Sequence, residues 1–401
     1  MSTSAISTGF AKFSQRATAL VERFPWLGWA GWIAFCILAL ARTHPRRFAA
    51  AFGYYLEAAQ RFAARYTLYD PNSLTDVSYW PSTLVVLVPF TTMNPSLAAV
   101  IVLTVSAIAL TWAAIDLTRA LRPSATDAFM LAGLLLLINI PAAWYNFKHV
   151  QLHILMTAGM MAAAACIIRE KYLTASLWLF VALVVKPIAV VMVLLCGALV
   201  PKMRLPLLAA VIVGALLPFA IADHTYLIEQ YRLFGLKLWT VASSPPAEWP
   251  YQADFSTMLK SFGIVLPGAV SVPLRLIAAL GTLFLAWRVQ RGGGNRAFAL
   301  AVLILSGCYL TLFGPRNENV SFLVVTPAIT ALALLMLLRD QMDIRAWLLV
   351  GAALVLGFVV TLEIDHTVKP AIVTVIYGWL IYLMIEPRRW RALAEGGSPG
   401  G

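Results

Sequence analysis

YLTASLWLFVALVVKPIAVVMVLLCGALVPKMR, residues 172–204, decides how the chain is threaded. It holds two apolar runs, 172–185 and 187–201, on either side of Lys186-Pro187. A membrane-crossing helix needs about 20 apolar residues, with a range of roughly 17–25, so each run is short. Joined as one span, the runs would invert every segment that follows. Kept as two, they put the charges in order. With Lys12, Arg16 and Arg23 on the cytoplasmic side, the inner connectors hold Arg119 and Arg122, then Arg169 and Lys171, then Lys202 and Arg204. They continue with Arg288, Arg291 and Arg296, then Arg339 and Arg345, and the carboxyl tail adds Arg388, Arg389 and Arg391. The short outer connectors hold single cations, Lys148, Arg316 and Lys369. That is the positive-inside distribution, so the sequence predicts two short spans meeting at Lys186-Pro187.

Working outward, further spans are expected at 25–42, 96–118, 127–145, 150–168, 205–222, 264–288, 296–313, 320–338, 344–363 and 370–386, about 12 in all with the central pair. Composition agrees. The chain is 61% hydrophobic and 12% charged, with a mean hydropathy of +0.82, whereas a soluble domain is nearer half apolar and a quarter charged. The predicted fold class is an all-α polytopic membrane protein, one membrane domain over 1–401 with cytoplasmic tails at 1–24 and 387–401. The net charge of +12 sits at the ends of apolar segments, which reads as topology and not as nucleic-acid binding. Cys36, Cys166, Cys196 and Cys308 fall inside apolar runs without metal spacing, so they are expected to pack. No cleavable signal peptide is evident.

Two connections are long, 43–95 and 223–263, and both fall on the outer side. In the first, Phe48, Phe52, Tyr55, Ala59 and Phe62 recur at three- and four-residue spacing, with Arg61 and Arg65 on other faces. This predicts an amphipathic interfacial helix over 48–66. Residues 81–93 are too few to cross, and counting them as a span would put Arg119 and Arg122 outside. They are expected to form a short outer or shallow re-entrant helix entered through Ser78-Tyr79-Trp80-Pro81. The outer face thus collects most polar groups, and function is expected there.

Lys186 is the first candidate. A charge inside an apolar segment costs roughly 2.5–3.5 kcal/mol on insertion scales. The side chain either snorkels to the interface or meets a phosphate. Gln151 and His153 open a span beside Lys148 and His149, either as an ordinary polar turn or as sugar or phosphate contacts. His149 and His153 have i, i+4 spacing, but no Glu follows the first His and no third ligand is evident, so no metal is expected. In Gly314–Asn319, Arg316 and Glu318 could pair with each other. Alternatively Arg316 takes an anion and leaves Glu318 for a hydroxyl. Among first-loop acids, Asp70 in Tyr-Asp-Pro-Asn reads as turn chemistry, while Glu57 and Asp76 are lesser catalytic candidates. Tyr226, Tyr231, Trp239, Trp249 and Tyr251 in 223–263 could stack on sugars or anchor at the interface.

Several pieces in order carry a resemblance. They are Tyr55-Leu56-Glu57-Ala58-Ala59, Leu68-Tyr69-Asp70, Tyr79-Trp80-Pro81 with Pro89-Phe90, Gln151-Leu152-His153, Lys186-Pro187 and Pro315-Arg316-Asn317-Glu318-Asn319. Over roughly residues 50–335 the chain resembles the GT-C superfamily of integral-membrane glycosyltransferases, and within it glycosyltransferase family 87, the type that includes polyprenyl-phosphate-mannose-dependent mannosyltransferases. The resemblance implies a multi-span helical fold with interfacial helices in the first outer loop and a site on the outer face. It also implies a polyprenyl-phosphate-linked sugar donor, with no nucleotide or obligatory cofactor. Such members often carry an Asp shortly before the Tyr-x-x-Ala-Ala piece; here Ala50, Ala51 and Phe52 stand there. Their Gly-Gln-x-Asn-like site reads Val150-Gln151-Leu152-His153 in this chain.

The expectation is a glycosyltransferase in a bacterial plasma membrane, passing a hexose or pentose such as mannose from a polyprenyl phosphate to a lipid or glycan acceptor. Its base is ranked Glu318, then Glu57, then Asp76. Lys186 and Arg316 would take the phosphate; Gln151, His153, Asn319, Tyr79 and Trp80 would meet the sugar. The rivals are a transporter or flippase, which needs midplane charges (Asp116 and Arg275 are the candidates) and often inverted repeats, and a non-catalytic assembly protein.

Overall fold

The computed structural model describes residues 14–16, 19–20, 23–42, 51–73, 79–243, 252–314, 317–358 and 362–395. Among them the protein is helical throughout, with one isolated bridge between Gln252 and Glu318. It is an all-α polytopic membrane protein. Among the described residues five helices are long and apolar enough to cross a membrane alone, and one bent pair adds a sixth. Seven shorter apolar helices of 10–17 residues accompany them.

Helix α1 (Leu27–Ala41) runs parallel to the bent pair α5 (Ala125–Ile138) and α6 (Ile140–Lys148). Gly28 lies against the backbone of Gly133, Trp29 stacks on Phe129 with centroids 5.0 Å apart, and Phe35 meets Phe147 at 5.1 Å. Small residues permit this close approach. The 56° bend between α5 and α6 falls at Asn139-Ile140-Pro141, where proline removes a backbone donor. The Asn139 amide donates to Leu135 O at 2.8 Å and to Thr330 Oγ1 at 3.2 Å, which ties the bend to α15.

Between them come α2 (Ala51–Ala63), α3 (Pro81–Leu87) with a 3-10 turn at Val88–Thr92, and the long α4 (Pro95–Leu121). Asn94 caps α4 by accepting from Ser96 N at 2.9 Å, and Pro95 supplies the first helical position. The 12 residues from Pro81 to Thr92 would rise only about 18 Å. Ser82 is tied to Gly214 O, and Thr83 to Val184 O at 2.7 Å. The segment therefore stays at one end of the bundle.

Next follow α7 (His153–Ile168), α8 (Tyr172–Val185), a 3-10 turn at Pro187–Ala189, α9 (Val190–Leu199) and α10 (Pro201–Leu216). Pro187 bars its predecessor from the helical region, and Lys186 is extended, at φ −152 and ψ 117. If α8 and α9, of 14 and 10 residues, ran on in one direction, they would carry the chain about 36 Å. Instead Lys202, just past α9, sits 5.3 Å from the ring of Tyr172 at the start of α8. The chain reverses at Lys186-Pro187, and that residue pair forms the tip of a helical hairpin.

The remaining elements are α11 (His224–Ser243), α12 (Phe255–Ser261), α13 (Gly268–Gly292), α14 (Gly294–Phe313), a 3-10 turn at Asn319–Val324, α15 (Thr326–Arg339), α16 (Ile344–Gly357), α17 (Leu362–Ile385) and α18 (Pro387–Glu395). The segment 223–263, expected as a long loop, is thus largely helical. Tyr226, Gln230 and Phe234 recur at i, i+4, i+8 on α11 and meet the first-loop segment. Tyr226 donates to Tyr66 O at 2.8 Å, Gln230 accepts from Leu68 N at 2.9 Å, and Phe234 lies 5.3 Å from Tyr69. A small second core of Ala58, Phe62, Leu68, Tyr69, Leu84, Ala222 and Leu227 holds α2 and α11 together. Trp249 and Tyr251 lie outside the described residues.

The bundle has two unlike ends. At one, Arg169 pairs with Asp116 at 2.6 Å, Asn295 bonds Glu170 at 2.7 Å, and Trp390 donates to Ala297 O at 2.8 Å. Arg288 reaches Ile385 O at 2.6 Å, Gln290 bonds Leu199 O, and Arg339 meets Ala392 O at 3.3 Å. Ser14 joins them through Trp347 at 3.3 Å. These are the basic connectors of the sequence, gathered with the amino-terminal segment. The opposite end carries the site.

Candidate active site

Four elements meet at the tip of the α8–α9 hairpin. Because Lys186 is extended, its side chain leaves the helix axis, and its ammonium lies 2.7 Å from His153 Nε2 and 3.1 Å from Nδ1. The same ammonium sits 5.4 Å from the centroid of Tyr79, a cation–π contact. The Tyr79 hydroxyl donates to Tyr55 Oη at 2.9 Å, and Tyr55 donates to Gln151 Oε1. Tyr55 comes from α2, Tyr79 from the entry to α3, Gln151 and His153 from the start of α7, and Lys186 from the hairpin.

The turn that leads Gln151 and His153 in is tight. Val150 adopts a positive φ of 49°, unusual for a β-branched residue, and Gln151 N is held by Asn146 O at 2.9 Å. Asn146 is buried and donates to Val320 O at 3.0 Å, which ties this turn to the 317–324 segment. His149, next along, meets the Tyr145 ring in a tilted contact with centroids 4.5 Å apart. Burial, and then the charge of Lys148, hold its imidazole below the usual range.

From the other side comes Glu318. It caps the 3-10 turn: its carboxylate accepts from Ser321 N, while Ser321 Oγ accepts from Glu318 N at 3.2 Å. Ser321 Oγ also lies 3.3 Å from His153 Nε2. Glu318, Ser321, His153 and Lys186 thus form one connected row, with Glu318 half-buried at its end. The backbone at Glu318 is fixed by its bridge to Gln252, and by Asn317, whose amide donates to Ala253 O at 2.5 Å and Thr311 O at 2.8 Å. Gln252 in turn donates to Asp254 at 2.5 Å, a buried carboxylate 3.9 Å from Arg275.

Two other sequence candidates, Glu57 and Trp80, fall elsewhere. Glu57 is exposed on α2, two residues round the helix from Tyr55 and away from its packed face. Trp80 is buried as a wedge between α8 and α10. Its Nε1 is 3.5 Å from Val184 O, and a Cβ at Gly214 would come within 2.7 Å of its ring. Asn319 opens the 3-10 turn, and its side chain lies outside what is described. Asp76 and Arg316 lie outside the described residues. Tyr55 and Ser321 were not among the candidates. Tyr55 carries the signal of an amphipathic face, and Ser321 the three-residue offset of a capping box with Glu318.

This is the arrangement of a multi-pass membrane protein with a polar, cation-bearing site at one end of an apolar bundle. A family model for glycosyltransferase family 87 matches residues 78–315, more than half of the chain, and the chain belongs to that family. It is a membrane glycosyltransferase. No curated protein matches the chain.

Proposed function

We propose that the protein transfers a sugar, a hexose or pentose such as mannose, from a polyprenyl-phosphate donor to a lipid or glycan acceptor on the outer face of a bacterial plasma membrane. The observation that supports this most is the placement of Lys186. It is a half-buried ammonium at the tip of a hairpin, set between a buried imidazole and an aromatic face. A cation held at that depth suits a lipid-linked phosphate, whose headgroup lies at the interface while its chain stays in the bilayer.

The reaction follows from the row of residues. An acceptor hydroxyl attacks the anomeric carbon, the bond from that carbon to the phosphate oxygen breaks, and the polyprenyl phosphate departs. Charge grows on the leaving phosphate, where Lys186 and Arg316 would stabilise it. Glu318 is the first-ranked acceptor for the hydroxyl proton, with Glu57 and Asp76 behind it. Gln151, His153 and Tyr79 line the same end and offer hydrogen bonds and a ring face to the sugar.

The basic connectors gather at the opposite end, and placing that end in the cytoplasm puts the site outside. The charges a transporter reading needs at midplane stand off-centre. Asp116 pairs with Arg169 near the basic end, and Arg275 pairs with Asp254 near the site end. The test is sugar transfer by the membrane-embedded protein from defined polyprenyl-phosphate sugars. Activity that falls with Lys186→Ala and Glu318→Gln supports the reading; full activity in both variants sinks the site, and inactivity of the wild type with every such donor sinks the donor class.

A further inference from the structure

We propose that Ser321 is a positioning residue that couples the two halves of the site, acting through His153 to hold the Lys186 ammonium at a set distance from the Glu318 carboxylate. This rests on the reading of Lys186 as the phosphate ligand and Glu318 as the base.

The hydrogen bonds carry the argument. Lysine can only donate, so His153 must present a lone pair to Lys186 and is neutral. A neutral imidazole has one lone pair and one N–H, so the tautomer that serves both neighbours has Nδ1 accepting from Lys186 at 3.1 Å and Nε2–H donating to Ser321 Oγ at 3.3 Å. The same Ser321 oxygen accepts Glu318 N–H at 3.2 Å. The Ser321 backbone N–H is bound by the Glu318 carboxylate. One residue therefore holds the base by its backbone and the imidazole by its hydroxyl. His153 and Ser321 are both buried, and the row has few ways to relax. A Ser at this position offers what an ordinary helix cap does not require, a second bond across to α7.

The consequence is kinetic. The donor phosphate carries one negative charge when it is a diester and gains another as it leaves, so Lys186 binds the transition state more strongly than the ground state. Loosening Lys186 then lowers kcat more than it raises the donor KM. Ser321→Ala, Ser321→Thr, His153→Gln and the Ala/Gln double variant are compared in the full chain in membranes. One readout is transfer rate against donor concentration; the other is binding of sugar-free polyprenyl phosphate, which needs no turnover.

Ser321→Ala is expected to lower kcat about tenfold, the worth of one ordinary hydrogen bond, with donor KM changed less than kcat, and to weaken polyprenyl-phosphate binding. Ser321→Thr restores most of both. The double variant loses no more than His153→Gln alone, because Ser321 acts through His153. Independent, multiplicative losses would overturn the proposal. So would a Ser321→Ala protein whose folded fraction binds the phosphate and turns over like the wild type. If the wild type transfers no sugar but the variants still change phosphate binding in this coupled way, the transfer reading fails and the positioning role stands.

Discussion

The two ends of the bundle use positive charge in opposite ways. At the basic end, cations are partly solvated and pair closely with carboxylates: Arg169 with Asp116 at 2.6 Å, Arg345 with Asp343 at 2.7 Å, Arg389 with Glu386 at 2.6 Å. At the site end, cations are drawn inside. Lys369 is 2% exposed and 3.3 Å from Asp365, Arg275 is 3.9 Å from Asp254, fully buried Lys237 donates to Asp70 O at 3.2 Å, and Lys186 leans on an imidazole and a ring. Closely paired surface charge fixes how the chain is threaded but has little left to give a ligand. Charge held in a poorly solvated place is costly to the fold, and it attracts an incoming anion more strongly than a solvated charge does.

The largest effect expected from this contrast is on activity. Lys186→Ala should lower kcat/KM by roughly 10³-fold, at the upper end of what removing one preorganised charge-stabilising group costs. Arg169→Ala, which removes a cation from the other end, should stay within about twofold. Comparable losses in the two variants, measured as transfer per folded molecule, would erase the distinction between the ends.

Next comes stability. Asp365→Asn leaves Lys369 buried beside Phe322 without its carboxylate, and breaking a buried pair by removing one partner costs about 3 kcal/mol. Asp116→Asn breaks a pair whose side chains retain 31% and 17% exposure, and should cost under about 1 kcal/mol. Thermal melts of the two variants in the same detergent separate these outcomes. Equal shifts would mean that burial at the site end does not set the energetics.

Much of the basic end was legible in the sequence, because topology is written in local tokens: apolar runs bounded by Lys and Arg. The reversal at Lys186-Pro187 could be read from charge balance alone, and the Lys202–Tyr172 contact shows its geometry. The site end was legible only residue by residue. Lys186 stands out because it interrupts an apolar run, and Glu318 because it is an acid in a turn. Nothing local says that His153 and Ser321 touch, since that contact depends on how α7 packs beside the 3-10 turn. Trp80 shows the same limit from the other side. An aromatic at an interface suggests a sugar platform, whereas its ring is wedged against Gly214. The helix α11 escaped because its polar and aromatic residues resemble a loop until their i, i+4, i+8 face finds a partner on the first-loop segment.

Glu318→Gln sharpens the comparison within the site end. It retains the side chain's shape and an oxygen for Ser321 N–H, so the cap survives while the basic group is lost. Loss of a general base costs 10²–10⁴-fold, and about 10² is expected here with little change in melting temperature. A large drop in stability with unchanged turnover would make Glu318 a cap and nothing more, and would move the search for the base to Glu57 and Asp76.

The smallest effect belongs to the basic end. Glu386→Gln removes the partner of Arg389 from a pair whose side chains are 46% and 50% exposed. Exposed pairs at i, i+3 contribute about 0.2–0.5 kcal/mol, and at 0.15 M salt the Debye length is only about 8 Å. The melting temperature should therefore move by no more than a degree or so, and the shift should vanish as salt is raised. Transfer activity should not change, because the pair sits at the opposite end from Lys186. A salt-insensitive destabilisation would show that this end, too, holds charge in a poorly solvated place, and that what separates the two ends is the geometry of their partners and not their access to water.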